Sequence, residues 1–159
     1  FYYRTLAEPS VVPWSGETRS RLVYAGGVRY GIASGLGDQD LIPSERFYGG
    51  GSTTVRGFAQ DRLGPIAGSS AVGGESMFVV NNELRFPIYR FFDGAAFVDA
   101  GNVFERWRDF RLNDLRFTSG AGLRLRTPYF LIRVDYGRVL NGRPGDPGGR
   151  FYFGIGQAF

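Results

Sequence analysis

Between Leu22 and Ile32 the chain alternates. Leu22, Tyr24, Val28, Tyr30 and Ile32 fall on one side of an extended segment, and Arg21, Val23, Ala25, Gly27, Arg29 and Gly31 on the other. Successive side chains of a strand point to opposite faces, so this period of two predicts a strand over about Arg19 to Ala33. The alternation returns from Glu75 to Ile88, where Phe78, Val80, Leu84, Phe86 and Ile88 oppose Met77, Val79, Asn81, Glu83 and Arg85. It returns again in Phe92 to Phe104, in Phe117 to Arg126, in Phe130 to Tyr136 and in Phe151 to Phe159. Residues 1–7 read as the end of a further strand, which Glu8-Pro9 and Pro13 interrupt.

The connections alternate too. Long ones at 35–73, 105–114 and 140–149 are interleaved with short turns near Pro87–Arg90 and at Thr127-Pro128. That is the pattern of an antiparallel meander with brief turns at one end and loops at the other. One face of nearly every strand is apolar or aromatic. The other carries Arg29, Glu83, Arg85, Asp99, Arg124, Arg126, Arg133 and Asp135, together with glycines. Periodicity alone does not say which face is inside. A soluble sandwich or ligand-binding barrel would bury the apolar face, and a membrane barrel would turn it to lipid. The aromatic residues at strand ends, the terminal Phe159 and the long–short rhythm favour the membrane arrangement: an all-β, antiparallel transmembrane barrel.

Composition fits that expectation. The chain pairs 25 glycines with 16% aromatic residues, which suits tight turns, close strand packing and interfacial rings. Its mean hydropathy of −0.17 is ordinary, as it must be when only alternate residues face lipid. No apolar run reaches the ~18 residues of a membrane helix. There is no charged-then-apolar leader, so a mature chain or a processed piece is expected. Without cysteine or histidine there are no disulfides, no thiolate or imidazole metal ligands and no imidazole base. No metal or cofactor is expected, and most hydrolase mechanisms are disfavoured. The net charge of +4 is spread over basic residues interleaved with acids, which argues against nucleic acid and is compatible with lipid headgroups.

The stretch Phe47 to Phe58, F-Y-G-G-G-S-T-T-V-R-G-F, is the chain's most distinctive local feature. Its consecutive glycines admit positive φ and close backbone packing, and what they deliver is Arg56, between Val55 and Gly57. Taken alone it could be a mobile surface loop. If the polar face lines a lumen, however, Glu83 and Asp99 project into it from consecutive strands, and a guanidinium is the rigid fork that suits carboxylates. A carboxylate-pair enzyme built on Glu83 and Asp99 is the competing reading, and partnership with Arg56 explains those residues better.

These motifs, in order, resemble those of the BamA/TamA-type outer-membrane insertases, or bacterial surface antigens. The resemblance rests on Val55-Arg56-Gly57-Phe58, Asn82-Glu83-Leu84-Arg85-Phe86-Pro87 and Phe97-Val98-Asp99-Ala100-Gly101. It continues through Ser119-Gly120-Ala121-Gly122-Leu123-Arg124, Thr127-Pro128 and the closing Phe151 to Phe159, covering about residues 19–159. It implies a sixteen-stranded barrel in which the 35–73 loop folds into the lumen and Arg56 docks on the wall, with Glu83 and Asp99 as its acidic partners. It further implies a non-enzymatic role in inserting unfolded outer-membrane proteins, at a weak seam between first and last strands. Lipid, unfolded clients and accessory assembly proteins would be the partners, with a polypeptide-secretion pore as the alternative within the same resemblance. Residues 151–159 would be the last strand, with Phe151, Phe153, Ile155 and Phe159 as its signal. Six strands, or seven with residues 1–7, fall short of the even number of at least eight in a single-chain bacterial barrel. The expectation is therefore the C-terminal part of a longer barrel, with a barrel shared between copies as the other possibility.

Overall fold

The computed structural model describes residues 2–7, 22–35, 39–89, 91–126 and 131–156. Seven strands form one antiparallel meander: β1 (Tyr2–Ala7), β2 (Val23–Ile32), β5 (Ser76–Tyr89), β6 (Phe92–Phe104), β7 (Arg116–Arg126), β8 (Leu131–Val139) and β9 (Gly149–Ile155). The connection from β2 to β5 contains a two-residue-strand hairpin, β3 (Ile66–Ala67) and β4 (Ser70–Ala71). Neighbours in the sheet are neighbours in sequence once that hairpin is set aside, the arrangement short connections favour. Among the described residues β1 and β9 each have one strand neighbour, so the sheet is the wall of a barrel and not a closed one.

Registers follow the alternation. Glu83 lies opposite Phe97 and Asn81 opposite Asp99; Gly122 lies between Ala95 and Asp135, and Asp135 faces Tyr152. On one face Val79, Asn81, Glu83, Phe97, Asp99, Thr118, Arg124, Arg133 and Asp135 are buried. On the other, Tyr24, Tyr30, Leu84, Val98, Leu123 and Phe151 are exposed, and Phe153 and Ile155 are each 77% exposed. A water-soluble sandwich would have the reverse distribution. Charge inside and continuous apolar surface outside is the distribution of a lipid-facing barrel wall.

The inner face is covered by the β2–β5 connection. Val55, Phe58 and Leu63 from that segment pack with Val79 and Val139 of the wall, with Met77 alongside, in a small apolar core towards the long-loop end. Phe47 and Gly74 exchange backbone hydrogen bonds, closing the segment at its base.

One boundary differs from the sequence expectation. The turn placed near Pro87–Arg90 is tighter, because β5 continues through Pro87 to Tyr89 and β6 begins at Phe92. Pro87 is paired with Asp93, and the register shifts between Pro87 and Tyr89. An irregularity of that kind is where a strand tolerates a residue without an N–H. The 105–114 connection includes two short 3-10 turns, Trp107–Asp109 and Leu112–Asp114.

The outward assignment has a direct test. Val98→Arg places a cation on the apolar face of a central strand and should destabilise the full-length protein in lipid vesicles by about 2–4 kcal/mol if the site is near the bilayer midplane. Unchanged denaturant midpoints would place that face in water.

Candidate functional site around a buried arginine

The Gly-rich stretch is a built turn. Gly50 and Gly51 have φ of 102° and 93°, and a Cβ on Gly50 would lie 2.3 Å from the Ala59 carbonyl oxygen. Only glycine takes that geometry without strain. The Gly50 N–H donates to Thr54 Oγ1 (2.8 Å), whose hydroxyl donates back to Gly50 O (2.6 Å), and Gly51 N–H donates to Phe58 O (2.9 Å). The turn thereby presents Val55, Arg56 and Phe58 to the wall, each no more than 1% exposed.

Arg56 is held on every side. Its Nε donates to Asp99 Oδ2 at 2.7 Å and its Nη2 to Asp99 Oδ1 at 2.9 Å, a two-point fork; its backbone N–H adds a third bond to Oδ2 at 3.1 Å. Nη1 reaches Glu83 Oε2 at 2.5 Å. The guanidinium carbon lies 3.5 Å from the centroid of the Phe97 ring, so its flat face stacks on an aromatic from the strand that carries Asp99. Burial opposes a charged guanidinium, but the bonds and charges of Asp99 and Glu83 outweigh it and raise its pKa above the ordinary value.

The acids have further partners. Glu83 accepts from Arg85 Nε (2.6 Å) and Arg124 Nη2 (3.1 Å), and Arg124 Nη1 donates to Asp135 Oδ1 (2.5 Å). Arg133 lies 3.5 Å from Asp135 and donates to Ser52 O at 3.3 Å. Asn81 Nδ2 donates to Asp99 Oδ1 at 2.9 Å and to Thr54 O at 2.5 Å, and Arg29 bonds Thr53 O. Acid and base therefore alternate along the bonded series Asp99, Arg56, Glu83, Arg124, Asp135 and Arg133, and wall side chains hold successive carbonyls of the turn. Desolvated charges are tolerable when each is paired and hydrogen-bonded in this way.

β9 joins through Tyr152. Its hydroxyl donates to Phe58 O (2.5 Å) and accepts from Gly57 N–H (2.8 Å), tying the turn to that strand. Gly57 itself has φ of 115°. Close approach is possible because β8 carries Gly137 here: a Cβ there would come within 2.8 Å of the Arg56 carbonyl carbon and 2.9 Å of Gly57 N.

The structure thus brings together Val55, Arg56, Gly57, Phe58, Glu83 and Asp99. Phe151, Phe153 and Ile155 lie on the opposite, outward face. Phe159 lies outside the described residues. Asn81, Phe97 and Tyr152 also belong to the site, as do Arg124 and Asp135, which the alternation puts on the polar face without marking them as part of the Arg56 network. Tyr152 carried one signal, since it falls out of phase with Phe151 and Phe153 on a strand otherwise glycine-rich on that face.

An antiparallel wall, greasy outside and charged inside, with a long connection pinned into its polar face, defines part of a membrane β-barrel with an inserted loop. The whole chain, residues 1–159, matches the Omp85 superfamily domain, and the chain belongs to that family. It is 33% identical over 149 residues to the outer membrane protein assembly factor BamA of Nitratidesulfovibrio vulgaris, covering 86% of this chain and 18% of that protein. It is 28% identical over 168 residues to the BamA of Neisseria meningitidis serogroup B, covering 84% of this chain and 21% of that one. It spans about a fifth of the length of these relatives. The fold also matches a crystal structure of BamA from Haemophilus ducreyi lacking POTRA domains 1–3, with a TM-score of 0.70 and 20% identity over 89% of this chain and 32% of that one.

Two substitutions separate the parts of the site. Arg56→Ala leaves Asp99 with Asn81 and the backbone N–H of residue 56 but no cation, whereas Glu83 keeps Arg85 and Arg124; the expected loss is about 3–5 kcal/mol, read as a lower temperature of heat-modifiable mobility on gels. Tyr152→Phe removes only the hydroxyl that serves Gly57 and Phe58, and should cost about 1–3 kcal/mol by the same assay. If both variants match the parent, the loop is not held by these contacts.

Proposed function

We propose that this chain is part of the barrel of an outer-membrane β-barrel assembly protein, an insertase that is not an enzyme. In this reading the 35–73 loop lies in the lumen and is docked by Arg56 on the acidic wall positions Glu83 and Asp99. Partners are the outer-membrane lipid, unfolded outer-membrane protein clients and accessory assembly proteins. The observation that carries the reading is the buried fork from Arg56 to Asp99 and Glu83, in a family whose matched members are named for outer-membrane protein assembly. It supports a permanent structural anchor: the two carboxylates that could have served as an acid–base pair are engaged by guanidinium groups. The anchor joins the loop to β5 and β6, and Tyr152 joins it to β9. Loop position and wall shape are then coupled, so a client that displaces one strains the other.

The test uses the full-length protein in lipid vesicles with an unfolded barrel client, scored by appearance of the client's heat-resistant folded form. The parent should accelerate client folding into the bilayer. Arg56→Ala should reduce that acceleration by about tenfold, the factor that accompanies ~1.4 kcal/mol lost from the competent state. Parent vesicles that accumulate the client inside, protected and not membrane-embedded, would instead identify a polypeptide-secretion pore.

A further inference from the structure

The β6–β7 connection folds outward over the wall. Phe110 packs edge-on against Phe104 (ring centroids 5.2 Å apart), Phe78 (5.9 Å) and Tyr30 (6.3 Å), and Tyr30 and Phe78 lie on the outward face of β2 and β5. The connection is also fastened at its base, where the Trp107 N–H donates to Glu75 Oε2 (3.1 Å) and Glu75 N–H to Glu105 O (3.1 Å). It is a shaped element, seated on the apolar exterior at the end of the wall that carries the long loops.

Its acids gather on one side. Glu105, Asp109, Arg111 and Asp114 line a cleft of about 470 Å³ that opens between this connection and the Phe58–Ile66 segment. Arg106, Trp107, Arg108 and Leu112 do not line it, and all are exposed. Among the described residues neither Arg106 nor Arg108 makes an ion pair, and the Arg108 guanidinium lies 4.9 Å from the centroid of the Trp107 ring. The acids of the connection and Arg111 face the cleft, while two arginines, a tryptophan and a leucine are left outside it, on the connection whose Phe110 rests on the apolar exterior.

We propose that Arg106, Trp107, Arg108 and Leu112 form a binding site for the phosphate-bearing headgroups of anionic lipid in the leaflet on the long-loop side. Tryptophan concentrates at membrane–water boundaries because its ring is apolar and its N–H polar, and arginines beside an anionic surface gain attraction that falls off within a Debye length. Leu112 and the Trp107 ring reach acyl chains while the two guanidinium groups meet phosphate. Phe110, clamped by three aromatic rings, sets the depth of the patch against the wall. This inference rests on the membrane reading given above and adds to it a place and a chemistry.

The experiment uses the full-length protein in detergent micelles, titrated with phosphatidylglycerol, with phosphatidylcholine as a neutral comparator, and bound lipid counted by native mass spectrometry. The parent should prefer phosphatidylglycerol. Arg106→Gln and Arg108→Gln should each weaken that binding by about fivefold, and by about twenty-fivefold together, with phosphatidylcholine binding unchanged. Trp107→Ala should weaken both lipids. Each variant's heat-modifiable mobility reports its fold, and the single variants decide the matter should the double one not assemble. Equal phosphatidylglycerol binding by parent and folded variants would overturn the proposal, as would a parent without preference or displacement of the lipid by millimolar inorganic phosphate. A full-length protein that needs no detergent would instead overturn the membrane reading itself.

Discussion

A guanidinium enclosed between two carboxylates and a phenyl ring is the interaction on which the arrangement of this chain depends. Arg56 is 1% exposed and Glu83 and Asp99 are fully buried, so none can exchange its partner for water. Charges in that position contribute little net stability compared with apolar residues of equal volume, yet removing one member is costly because the others are stranded. Such a contact discriminates strongly between one placement of the loop and all others. The loop's own short bonds, Gly50 with Thr54 and Gly51 with Phe58, shape the turn but do not aim it. Aim comes from the wall.

The wall is organised to receive that one side chain. Asp99 meets the fork directly, Asn81 braces Asp99, and Arg85 and Arg124 share Glu83, so that removal of any single member redistributes bonds across neighbouring strands. Small residues make the room. Gly137 lets the backbone at Arg56 and Gly57 lie against β8, and a Cβ on Gly101 would come within 3.0 Å of Val55. Close backbone approach and dense charge pairing therefore meet at Arg56, whose neighbour Val55 belongs to the buried apolar core with Phe58, Leu63, Val79 and Val139.

Much of this was legible in the residues, for a physical reason. Alternation with a period of two reports the face of each side chain whatever its partner, so the outward set at Tyr24, Leu84, Val98 and Phe153 and the inward set at Glu83, Asp99, Arg124 and Asp135 could be read before any coordinates. Arg56 stood out because a Gly-rich turn delivers it. Depth and the partners beyond Arg56, Glu83 and Asp99 were not legible. Asn81 and Phe97 look like ordinary strand residues, and their roles depend on registers between β5 and β6 and on a loop more than twenty residues away in sequence. Tyr152 belongs to an aromatic-rich terminal segment, where its hydroxyl is easily overlooked. The alternation carries β5 across Pro87 to Ile88 even though proline usually ends a ladder, and the shift of register that accommodates it there was not legible.

The tie between Tyr152 and the turn has a bearing on β9 as a strand. Its outer face is Phe151, Phe153 and Ile155; its inner face is Tyr152 and glycine. Displacement of β9 by a single residue along β8 would exchange those faces, driving phenylalanine rings into the space beside Asp135 and Arg133 and turning the phenol away from the turn. The two hydrogen bonds at Tyr152 thus act as a gauge on sliding: they close only when the strand stands at one notch. The register of β9 on β8 is thus read off by a connection that belongs to neither strand.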